Sequence, residues 1–151
     1  MKASTHSTVR FILSEIVGPD PETDGMVLQA CGARIWRRRG AAPVMRWPGS
    51  RFDEPLPPLT GDIGSARALI ARVLPDFWAT SGLCALSGHA SIGPDYNGSA
   101  GERLRQEWPE AEFHAGFDAD LSPGDGPHRE CAALLDCLLQ ALERKPTGAI
   151  A

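Results

Sequence analysis

The sequence predicts an α+β fold: a small, mainly antiparallel sheet covered by two or three amphipathic helices, an α/β sandwich. Two stretches carry that expectation. From Arg129 to Lys145 the apolar residues Cys131, Leu134, Leu135, Leu138 and Leu142 recur at helical spacing, and Ala132, Leu139 and Ala141 widen the stripe. From Ala111 to Ala119 the chain alternates Ala and Phe with Glu112, His114, Gly116 and Asp118, a period of two. That alternation predicts a strand with Phe113 and Phe117 on a dry face and Glu112, His114 and Asp118 on a wet one. Each buried leucine of the helix would stabilise the fold by roughly 1.5–3 kcal/mol before entropy is subtracted.

The chain has 151 residues, enough for one domain. With 42% hydrophobic and 23% charged residues it reads as an ordinary globular chain rather than a disordered one. The expected layout is an N-terminal arm or short helix over 1–23, a single domain over 24–145 and a disordered tail over 146–151. A net charge of −4 argues against general nucleic-acid binding. No run approaches the ~18 apolar residues of a membrane span, and the first residues lack the clean apolar block of a signal peptide. The expectation is a cytoplasmic protein. Cys31, Cys84, Cys131 and Cys137 show no close pairing, which suits reduced thiols.

In chain order, residues 1–7 read as disordered. Val9, Ile12, Leu13, Ile16 and Val17 match a helix stopped by Gly18-Pro19, with a strand over Thr8 to Leu13 as the competing reading. Asp20 to Gly25 reads as a link and Met26 to Cys31 as a short helix. Ile35-Trp36-Arg37 and Val44 to Trp47 read as two strands. Between them, Arg37-Arg38-Arg39 is either a solvated edge that resists aggregation or an anion site. Pro48 to Leu59 reads as an extended proline-rich connector, tethered within the domain or presented to a proline-reading partner. Asp62 is placed to cap a helix whose inner side is Ile63, Ala66, Leu69, Ile70, Val73 and Leu74, with Arg67 and Arg72 outward. Phe77 and Trp78 read as core, and Leu83 to Leu86 as a strand. His89 to Glu110 is the least regular stretch; Asn97-Gly98 signals a turn, and Ser99 with Glu102 fits a capping box opening a helix through Trp108. Leu121 to Gly126 is a turn cluster, with Asp125 or Gly126 as cap and Pro127 opening the last helix.

The order of these elements, with LQACGARIW (28–36), PLTGDIGSARALIARVLP (58–75) and CAALLDCLLQAL (131–142), resembles the phage ABA-sandwich domain family of small phage and prophage proteins. The resemblance spans residues 24–144. Thr60-Gly61-Asp62-Ile63 departs from the family pattern by its inserted Gly. The resemblance implies a fold and a phage or prophage origin; it implies no activity and assigns no site residues.

The residues themselves offer limited chemistry. Cys84-x4-His89 and His128-x2-Cys131 do not match the ligand spacing of a structural zinc site, and Asp118, Asp120 and Asp125 do not follow a calcium loop. No cofactor is expected. Cys84 or Ser91 with His89 or His114 would be the nucleophile–base combinations, without a motif around them. The candidate ligand-binding residues are Arg37, Arg39, His89, Asp95, Tyr96, His114 and Asp118, taken as one surface made by the 89–110 loop, the wet strand face and the Arg strand. The expected function is non-enzymatic: a phage- or prophage-encoded protein that binds a host protein or sequesters a small anionic ligand, with homo-oligomers allowed. A small metal-dependent hydrolase and a structural or assembly component are the alternatives.

Overall fold

The structure, a computed structural model, describes residues 2–122 and 126–146. Its elements are α1 (Lys2–Glu15), α2 (Pro21–Ala30), β1 (Arg34–Trp36), β2 (Val44–Arg46), β3 (Glu54–Pro55), α3 (Ile63–Val73), β4 (Phe77–Leu83), β5 (Gly88–Pro94), α4 (Gly101–Glu107), α5 (Glu110–Phe113), β6 (Phe117–Leu121) and α6 (Pro127–Arg144). They form two antiparallel three-stranded sheets, ordered β1-β2-β3 and β4-β5-β6. The α+β class is therefore what the sequence predicts, with two small sheets in place of one.

Helix α6 is the centre. Every residue from Cys131 to Leu139 is buried, because α6 lies on β5, β6 and β4 and is flanked by α1 and α3. Its predicted apolar stripe faces the sheet. Asp136, off that stripe, is nonetheless only 7% exposed: α1 covers it, and Arg10 Nε donates to its Oδ1 at 2.9 Å while Gln140 Nε2 donates to Oδ2 at 2.8 Å. The predicted helix near Val9 and Leu13 is α1, and it starts at Lys2, within the stretch expected to be disordered. Residues 147–151, most of the expected tail, and Asp125, one of the two expected caps, lie outside the described residues.

Close approach fixes the small residues of the second sheet. Gly88 and Ala90 of β5 face α6, and a Cβ on Gly88 would sit 2.3 Å from the Arg129 carbonyl carbon. A larger residue there would push the helix off the sheet. Each edge strand of this sheet has one backbone carbonyl bound by a side chain. Arg67 Nη1 donates to Ala79 O of β4 at 3.2 Å, and Gln140 Nε2 donates to Asp118 O of β6 at 2.7 Å. Arg67 is thus turned inward rather than outward, whereas Arg72 is exposed and lies over Trp47, 4.7 Å from the ring centroid.

Several local expectations are corrected. Residues 111–119 are not one strand. Pro109 starts a single helical turn, with Phe113 N–H donating to Pro109 O at 3.0 Å and His114 N–H to Glu110 O at 2.9 Å. Gly116, at φ +73, then swings the chain into β6; a Cβ there would lie 2.3 Å from Ile92 O. Phe113 and Phe117 are buried all the same, because both meet Trp108 edge-on at 5.1 and 6.2 Å between centroids. The strand expected over Leu83 to Leu86 is β4, which ends at Leu83; Cys84 to Ser87 form the tip of a hairpin, with Leu86 80% exposed. The irregular 89–110 stretch holds β5, the central strand, and then α4, which opens without a side-chain cap from Ser99. Asp20 to Gly25 is no link: Asp20 is the N-cap of α2 and Pro21 its first residue.

The Asp62 cap is as expected, its Oδ2 accepting from Ser65 N–H at 2.9 Å. The proline-rich connector runs extended and contributes β3, paired to β2.

Candidate functional site

The first sheet is where charge and aromaticity meet. Alternation along β1 places Arg34 and Trp36 on one face and Ile35, with Arg37 just beyond the strand, on the other. Arg34 pairs with Arg46 of β2 across the ladder, so both guanidinium groups flank the same indole. Arg34 Cζ lies 5.9 Å and Arg46 Cζ 5.5 Å from the Trp36 ring centroid. Asp53 anchors Arg46, with Nη2 at 2.6 Å and Nε at 2.9 Å from Oδ1. That carboxylate holds the edge of the guanidinium and leaves its face to the ring.

The chain leaves β1 straight into the arginine run. Arg37, Arg38 and Arg39 are exposed, and among the described residues none of them takes part in an ion pair. The turn closes when Ala41 N–H donates to Arg38 O at 3.0 Å, with Gly40 at φ +75. In a chain of net charge −4 this is a local excess of cations around one indole. Arg37 and Ile35 line a groove between α2 and this sheet.

The other candidate residues fall elsewhere. His89 and Asp118 share the outer face of the second sheet, away from α6. His89 is paired in register with Asp120, and Ser91 with Asp118, whose carboxylate accepts from the Ser91 hydroxyl. The His89 ring lies over Gly82, and the Trp78 indole lies over Gly93 and Gly116. Asp95 is exposed and accepts from Asn97 N–H at 3.2 Å in the turn after β5. Tyr96 is buried; its hydroxyl donates to Trp108 O at 2.6 Å, and burial raises its pKa. It ties the turn to the end of α4. His114 is exposed at the end of α5. The candidate residues are thus distributed over both sheets, one turn and a helix end.

Neither conceivable nucleophile meets a histidine. Ser91 is bound to Asp118, and Cys84 Sγ lies 3.5 Å from Ser87 Oγ, whose hydrogen bond lowers the thiol pKa. Among the described residues no three His, Cys, Asp or Glu side chains gather as a metal-ion cluster, and no described helix is long and apolar enough to cross a membrane.

Sequence reasoning reached Arg37 and Arg39 but passed over Arg34, Trp36 and Arg46. The signal was present: Arg-x-Trp on a strand puts both side chains on one face, and Val-Met-Arg on the next strand returns a second Arg to it. Comparison with family models, with curated proteins and with solved structures yields no match for this chain.

Proposed function

We propose that this is a non-enzymatic binding protein of phage or prophage origin that sequesters a small anionic ligand on the outer face of its first sheet. The observation that carries the reading is that the Arg34 and Arg46 guanidinium groups both lie within about 6 Å of the Trp36 ring centroid, near the exposed Arg38 and Arg39, which make no ion pair among the described residues. Planar guanidinium groups bind phosphate or carboxylate oxygens in pairs, and an indole stacks on a flat ring. The chemistry favoured is an anion that also carries a planar aromatic group. The phage origin rests on the sequence pattern over 24–144.

Titration with ATP as probe, followed by tryptophan fluorescence, tests the binding. ATP should quench, adenosine should bind far more weakly, and the response should fall with salt. Trp36→Phe should remove most of the quench, and Arg34→Ala with Arg46→Ala should weaken binding at least about tenfold, the scale of one lost charge-assisted contact. No response to ATP, or one indifferent to those arginines, would sink the reading. Gene neighbours outside any phage cluster would sink the proposed origin.

A further inference from the structure

The groove on the opposite side of β1 has a different chemistry. It measures about 810 Å³, within the range of small-molecule sites. Met26 of α2, Ile35 of β1 and Leu56 of the proline-rich strap give it apolar walls. Asp24 also lines it, although the residue as a whole is only 5% exposed. Thr60 holds that carboxylate: its N–H and its hydroxyl both donate to Asp24 Oδ1 at 2.8 Å. Oδ2 has no hydrogen-bond partner among the described residues. Among the described residues only Arg129 Nε is a sealed side-chain polar atom without a partner, so Asp24 Oδ2 is open to solvent and free to accept from whatever enters the groove.

Charge narrows the occupant. Glu22 stands on the same wall as Asp24, and Arg37 is the one cation of the lining. The acids prevail at the Asp24 end, so an anion entering there meets like charge. We propose that this groove binds a small apolar molecule ending in a protonated amine, with the ammonium on Asp24 Oδ2 and the apolar body against Met26, Ile35 and Leu56. Burial raises the Asp24 pKa, and an ammonium partner would offset that cost. This site is independent of the Trp36 face and stands or falls separately from it.

Gly25 supplies the test. It lies in α2, and a Cβ there would make ordinary contacts, 3.5 Å to Ile35 Cδ1 and 3.7 Å to Leu56 Cδ2. Gly25→Ala therefore fits, while Gly25→Met extends into the groove. Calorimetric titration of the full chain with 2-phenylethylamine, 2-phenylethanol and 3-phenylpropionate compares an amine, a neutral hydroxyl and a carboxylate of similar size. The amine should bind, the alcohol about tenfold or more weakly, and the carboxylate not at all. Asp24→Asn keeps an acceptor for Thr60 and should cost the amine about tenfold while leaving the alcohol unchanged. Gly25→Met should abolish amine binding, and Gly25→Ala should retain it, with thermal melts showing both variants folded. The proposal is overturned if the amine fails to bind, if the alcohol or carboxylate binds as well as the amine, or if folded Gly25→Met binds it like the parent.

Discussion

His128 Nδ1 lies 3.0 Å from Thr60 O, and its Nε2 lies 3.2 Å from Ile16 O. One buried ring thereby joins α6 to the segment after α1 and to the residue leading into α3. Thr60 is itself a hub, bonded to Asp24 and receiving the Asp20 N–H at 2.7 Å.

His128→Ala should therefore destabilise the protein by about 2–4 kcal/mol, since it removes the ring's contacts to one buried and one partly buried carbonyl and opens a cavity. Urea denaturation measures this. A loss below about 0.5 kcal/mol, the range of ordinary surface substitutions, would mean the ring does not join these segments.

Leu135→Ala should cost about 2–5 kcal/mol, as a fully buried leucine of the central helix. Gly88→Ala removes nothing from the core, yet its added methyl meets the α6 backbone, so it should cost about 1–3 kcal/mol by overpacking. Chemical denaturation of the pair reads both. A silent Gly88→Ala would contradict the contact between α6 and β5.

Asp24 sets a pH dependence with a definite sign. Burial is the largest influence on it and raises its pKa above the ordinary 3.8. In the window just above 3.8 the folded state holds more proton than the unfolded chain, so this group's contribution to stability falls as pH rises through that window. Asp24→Asn should flatten that part of the stability–pH curve while keeping a side-chain acceptor for Thr60. Melting temperatures across mildly acidic pH check it; an unchanged slope would contradict the assignment.

The four thiols should separate by reactivity. Cys84 is exposed at a hairpin tip, and its pKa is lowered, chiefly by the Ser87 hydroxyl. Burial pushes Cys31 up to about 12 and Cys131 up to about 11, and raises Cys137 as well. Iodoacetamide on the native protein should label Cys84 first and the others only on unfolding. Mass spectrometry of early time points would reveal a different order.

The two long core helices were legible because their signals are redundant. In α3, an Asp cap, about three turns of consistent apolar spacing and a closing Pro agree; in α6, the stripe runs from Cys131 to Leu142. Phe113 and Phe117 were legible as core, and Phe117 as strand, but the helical turn that holds Phe113 was not, since a spacing of four fits both periods and the choice is made by Pro109 and Gly116. The central strand β5, GHASIGP, was hidden for a physical reason: contact with α6 and the indole of Trp78 demand small residues at Gly88, Ala90 and Gly93, which strips the strand of its usual β-branched signal. At the candidate site, the arginine run was visible as charge, but the pairing of Arg34 with Arg46 crosses a ladder whose register no local pattern states.

The position of α6 in chain order has a consequence for biosynthesis. It emerges from the ribosome after every other described element, and α1, α3 and the second sheet all lean on it. Until it arrives, the faces that α1, α3 and the second sheet turn toward it have no partner, so their packing waits on α6.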